Sequence, residues 1–164
     1  MKSSKVAFLG MFAAFAMVLS FVEAQIPPLV AIPGIKLGLP NIAIILILYK
    51  IGSKEAITCS CVRIFLTSYL FGSFYSMLYS LAGAALSLTA MILLKKTGKI
   101  STVTVSVIGG VCHNIGQIIV ACLMTETAQL LYYLPVLIIS GVVSGIVIGM
   151  IAALTYSKVE KIEF

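Results

Sequence analysis

Apolar runs dominate this chain: Val6–Ala24, Leu29–Tyr49, Ala56–Leu70, Phe74–Leu94, Val103–Met124 and Leu130–Tyr156 leave only short links between them. Crossing about 30 Å of hydrocarbon takes roughly 20 apolar residues. At 164 residues, 61% of them apolar and 10% charged, the chain has room for six such runs and for no second, soluble domain. A mean hydropathy of +1.18 is far outside the range of soluble domains. The expected fold is an all-α membrane protein: a single six-helix transmembrane domain over residues 1–164.

The basic residues predict its orientation, because cytoplasmic links accumulate Lys and Arg. With the N-terminus inside, nine of the eleven basic residues fall on inner segments: Lys2, Lys5, Lys50, Lys54, Lys95, Lys96, Lys99, Lys158 and Lys161. Only Lys36 falls in an outer loop, and Arg63 lies within the third run. Both termini are then cytoplasmic, in a multi-pass protein of the cell membrane. The net charge of +6 is a topology signal rather than a nucleic-acid footprint, since the lysines form short clusters between runs and no single stripe. Tyr49 and Tyr156 at inner ends, and Tyr69, Tyr132 and Tyr133 at outer ends, fit aromatic belts. The first run also resembles a secretory signal with a cleavage position after Ala24. Its apolar core is long, however, and the rest of the chain is polytopic, so an uncleaved first helix is expected.

The second run is interrupted by "IPGIKLGLP". Proline and glycine break the backbone ladder, and irregular backbone survives at membrane depth only where protein or water lines it. Broken helices of this kind mark substrate sites in transporters. Two readings stand. In one, the stretch is an outer loop with Lys36 snorkelling to water. In the other it is a lid hinged at Gly34 and Gly38, with Lys36 facing a ligand and Asn41 at the start of the next helix.

Polar residues inside the runs are the remaining candidates, because such groups are expensive in a bilayer and commonly functional. In "GGVCHNIGQ", His113 and Gln117 are helical i,i+4 neighbours and Asn114 and Gln117 are i,i+3, so they form one polar stripe. The stripe could line a site or join helices by hydrogen bonds. Arg63 needs an acidic or anionic partner. Glu23 is the candidate for an ion pair, and a bound anion between Arg63, Lys36 and His113 is the other reading. Four cysteines inside apolar runs lack metal spacing and read as packing residues. No metal or other cofactor is expected.

Small residues point to helix contacts. Gly141, Gly145 and Gly149 recur every four residues in the last run, a pattern expected to pack internally. Gly10 and Ala14 in the first run are expected to dock a partner.

"PGIKLGLPNI", "VRIFLTSYLFGS", "SLAGAALSL" and "GGVCHNIGQI" together resemble the bacterial membrane family labelled Gx transporter or heptaprenyl diphosphate synthase component I. That family is in turn similar to the substrate-binding S components of energy-coupling-factor (ECF) transporters, six-helix bundles with both termini cytoplasmic. The resemblance implies an S-component-like bundle that captures a small anionic or amphiphilic molecule and works with an ECF-type coupling subunit and ATPases. It also implies a docking face on the first helix, where Gly10 and Ala14 replace the family's Ala-x3-Ala. The alternative is a noncatalytic membrane component of heptaprenyl diphosphate and isoprenoid quinone synthesis. Neither function makes the chain an enzyme. Prenyl-chain synthesis by the usual route needs aspartate clusters to hold Mg²⁺ on a diphosphate, and the chain has five Glu and no Asp. It is not a self-powered pump either, because "TGKIST" lacks the leading glycine and the hydroxyl directly after Lys that a phosphate-binding loop requires.

Overall fold

The computed structural model describes residues 3–26 and 38–159. Six α-helices follow one another: α1 (Ser3–Gln25), α2 (Asn41–Lys50), α3 (Ser53–Phe71), α4 (Phe74–Lys96), α5 (Thr102–Thr125) and α6 (Leu134–Val159), with a 3-10 turn at Ala128–Tyr133 leading into α6. Lys5–Gln25, Phe74–Lys96, Thr102–Thr125 and Ala128–Val159 are long and apolar enough to cross a bilayer. By contrast α2 is ten residues long, and α3, at 19, carries Lys54, Glu55 and Arg63. Large apolar side chains such as Met11, Val18, Leu93, Leu123 and Leu154 stand exposed around the bundle. Such a surface needs lipid around it. The chain is a multi-pass membrane protein.

The expected second run, Leu29–Tyr49, lies partly outside the described residues, and its described helix, α2, begins at Asn41. Ile42 to Leu48 are all buried, the signature of a helix that is apolar all round and enclosed by its neighbours. At 1.5 Å per residue α2 rises only about 15 Å, half a bilayer. Its C-terminal end is anchored where the lysines gather. The Lys95 ammonium donates to the Leu48 carbonyl, one of the carbonyls a helix end leaves unpaired, and lies 5.3 Å from the centroid of the Tyr49 ring. Tyr49 in turn packs against Tyr156 of α6, with ring centroids 6.0 Å apart.

Against α2 pack α1, α3 and α6. α5 lies between α4 and α6, and its contact with α6 is a backbone contact. A Cβ on Gly110 would fall 2.6 Å from the Gly141 carbonyl oxygen, and one on Gly145 would fall 2.6 Å from Val107 Cα. Gly149 faces Val103 and Ser106 in the same way. The order of these contacts makes the two helices antiparallel, and the approach is the small-residue packing that membrane helices favour. α1 and α3 run parallel, joined at one end by the Lys5–Glu55 ion pair at 2.5 Å and at the other by Phe21 and Phe71 at 5.2 Å between centroids. The Lys5 ammonium on Glu55, in the first turn of α3, holds that carboxyl below the ordinary glutamate range. Hydroxyls cap two of the long helices: Ser73 and Ser76 form a reciprocal capping box at α4, and Ser101 accepts from the Thr104 N–H at α5.

Candidate functional site

A half-length α2 leaves space above its N-terminus, and that space is a cavity of about 700 Å³ reached by residues of all six helices. Ligand sites commonly have this size. Glu23 from α1, Asn41 from α2, Arg63 from α3 and His113, Asn114 and Gln117 from α5 all line it. Lys36 and Gly34 lie outside the described residues. Counting 1.5 Å per residue, Arg63 is about 15 Å along α3 and His113 about 16 Å along α5 from the lysine-rich end, which is also the level of the α2 N-terminus. The positive end of the α2 dipole therefore faces the same space as the Arg63 side chain.

Entry into α2 is held by a turn that only this sequence makes comfortable. Gly38 adopts φ +75, a left-handed conformation that glycine takes without a steric penalty. A Cβ there would also lie 3.2 Å from Ile148 Cδ1. The Gly38 N–H donates to the Glu23 carboxylate, while the Gly38 carbonyl accepts from the Asn41 N–H at 2.9 Å. Gly38 thus ties the end of α1 to the start of α2, a restrained position where the lid reading expects a hinge.

Arg63 and Glu23 both line the cavity, and they act on one another electrostatically. Glu23 has a second task in holding Gly38. The Arg63 Nε is buried without a hydrogen-bond partner. So is the Gln117 Oε1. Buried polar atoms left unpaired cost a few kcal/mol each, and both atoms belong to residues that line the cavity. Asn114 is different: its side-chain amide donates to the Leu137 carbonyl at 2.7 Å, joining α5 to α6. The polar stripe of α5 therefore holds helices together through Asn114 and faces the cavity through His113 and Gln117.

Two features of the cavity go beyond the residues expected from the sequence. Serines line much of it, among them Ser76, Ser80 and Ser87 of α4 and Ser140 and Ser144 of α6. Their signal is a helical spacing of small hydroxyls within apolar runs, a pattern that ordinary packing also produces. Met91, Ser106 and Ile151 extend the cavity beside α2 toward the lysine-rich end. Outside the site, Gly10 would meet nothing within 4 Å if it carried a Cβ, and Ala14 is exposed, so that face of α1 is unpacked. Gly141 and Gly145, by contrast, border the α5–α6 contact.

Neither a curated protein nor a solved structure matches the chain. The profile of one family, heptaprenyl diphosphate synthase component I, matches residues 12–155, nearly the whole bundle. The chain belongs to the heptaprenyl diphosphate synthase component I family.

Proposed function

We propose that the protein is a noncatalytic membrane component of polyprenyl diphosphate synthesis in the cytoplasmic membrane, which holds an anionic isoprenoid intermediate for a soluble prenyltransferase. The observation that carries this reading is the cavity at Arg63. It pairs a guanidinium, that of Arg63, with walls that are otherwise largely apolar or hydroxylic. A diphosphate suits the first part, because a guanidinium fork matches phosphate oxygens. A prenyl chain suits the second. The family name supports the same pathway, and a chain without aspartate lacks the residues by which prenyltransferases hold magnesium diphosphate. The chemistry therefore belongs to a partner, and this subunit supplies binding.

A second reading, an ECF-type S component with both termini cytoplasmic, is favoured by one arrangement. The Glu23 and Arg63 part of the cavity lies at the N-terminal end of α2, whose other end meets Lys95. If those lysines face the cytoplasm, the cavity faces outward, as uptake requires. The unpacked Gly10–Ala14 face of α1 would then receive the coupling subunit.

Gentle affinity purification from the native membrane, followed by native mass spectrometry, tests the two. A copurifying soluble prenyltransferase is the expected result. Copurifying ATPases without a prenyltransferase would transfer the assignment to transport.

A further inference from the structure

α6 carries the feature that neither reading uses. Ile139, Val143, Val147 and Ile151 recur every four residues, and each both lines the cavity and stands exposed, at 65%, 58%, 51% and 41%. Residues at this spacing share one helix face. A wall residue of an enclosed cavity is buried, so four in succession with both properties mark an opening along the side of the bundle. At 1.5 Å per residue it runs about 18 Å along α6. The packing of the helices agrees with this. α6 packs on α5 and α2, and α1 packs on α2 and α3. On its far side, at the end away from the lysines, the cavity is bounded by Ser20, Glu23 and Ala24 of α1.

From this geometry we infer that the cavity opens laterally to the hydrocarbon along α6, and that its ligand is a membrane-resident amphiphile. A phosphate-type head sits at Arg63, and an apolar tail leaves along Ile139, Val143, Val147 and Ile151. The inference rests on the proposed anionic site and adds the route and the tail. Around the head, the Arg63 guanidinium supplies the charge, and the serine hydroxyls that line the cavity supply hydrogen bonds to phosphate oxygens. Along the tail the wall is a ridge of exposed branched side chains on a helix long and apolar enough to cross a bilayer, so a tail can lie there without entering water. A ligand that is only a head uses half of the site. A ligand that is only a tail makes no use of the Arg63 charge.

The test uses the full chain in lipid nanodiscs and three probes: farnesyl diphosphate for head and tail, inorganic pyrophosphate for the head alone, and farnesol for the tail alone. Farnesyl diphosphate is expected to bind at least about tenfold more tightly than either fragment. Val143→Trp, which fills the lateral opening, is expected to weaken farnesyl diphosphate about tenfold and leave pyrophosphate unchanged. Ile146→Trp places the same bulk on an exposed position of α6 that does not line the cavity, and should change neither. Arg63→Lys, which keeps the charge and loses the fork, should bring farnesyl diphosphate close to farnesol. Pyrophosphate binding as tightly as farnesyl diphosphate would overturn the inference, as would full farnesyl diphosphate affinity in Val143→Trp. Failure here, with a prenyltransferase still copurifying, rejects the lateral route and leaves the proposed function standing. Binding as expected, with no prenyltransferase recovered, does the reverse.

Discussion

The side-chain amide of Asn114 donates to the main-chain carbonyl of Leu137 at 2.7 Å, while Gln117, one turn further along α5, keeps its buried Oε1 without a partner. Neighbours on one polar stripe are thereby given opposite tasks, and substitution should separate them. Asn114→Ala removes a bond between α5 and α6 and is expected to cost about 1 kcal/mol, read as a lower thermal midpoint in detergent. Gln117→Leu removes an unpaired acceptor and should leave the midpoint unchanged or raise it, while ligand affinity falls. A stability loss in Gln117→Leu as large as that in Asn114→Ala would mean that Gln117 is also a structural link.

The close approach of α5 and α6 makes a second prediction. Gly145→Leu would drive a side chain into Val107, and the cost should be at least about 2 kcal/mol, because backbone cannot yield as a flexible side chain does. Gly10→Leu, on the open face of α1, should cost nothing measurable in stability. If that face docks a partner, Gly10→Leu will instead lower the amount of partner copurified. Equal destabilisation by both substitutions, measured by thermal unfolding, would contradict the packing described for α1.

Glu23 offers a test of the charge in the cavity. Glu23→Gln keeps an oxygen to accept from the Gly38 N–H and removes the negative charge that acts on Arg63. Affinity for an anionic probe such as farnesyl diphosphate should then rise by about fivefold, equivalent to roughly 1 kcal/mol for removing one nearby like charge. Glu23→Ala also loses the tie to Gly38 and should destabilise the start of α2. A fall in anion affinity in Glu23→Gln would show that the carboxylate orients Arg63 rather than competing with its guest.

The Lys5–Glu55 pair fixes a pH dependence. The carboxyl of Glu55 is held below its ordinary range by Lys5, so the folded state binds that proton more weakly than the unfolded chain does. Its contribution is then complete above the ordinary glutamate pKa of about 4.3 and is lost as pH falls through the lower folded value. A partly exposed pair of this kind is worth about 0.5 kcal/mol. The difference in thermal midpoint between wild type and Glu55→Gln should be small but present at pH 7 and should shrink as pH falls below the ordinary glutamate range. A difference that does not change with pH across the acidic range would assign the stabilisation to something other than the charge.

Much of this architecture was legible in the residues. Apolar runs give the helices, since backbone amides in lipid have no partner but their own chain. Pro40 and the glycines before it predicted an interrupted second run, and α2 does begin immediately after Pro40. The clustered lysines marked one end of the bundle, where Lys95 reaches Leu48 and Lys5 reaches Glu55. Polarity alone drew attention to Arg63, His113, Asn114 and Gln117, because polar groups in such runs stand out.

What the sequence by itself determined, then, is local: which segments are helical, where one of them breaks, and which side chains are too polar for lipid. Periodicity could not say that Asn114 would find Leu137 while the Gln117 Oε1 would find nothing, because that depends on the register of α5 against α6, set by Gly110 meeting Gly141. Nor could it say that the ten-residue α2 sits among longer helices, with Arg63, Glu23 and His113 sharing one cavity. Only the tertiary structure decided that, since a cavity and its opening along Ile139, Val143, Val147 and Ile151 are properties of the gaps between helices.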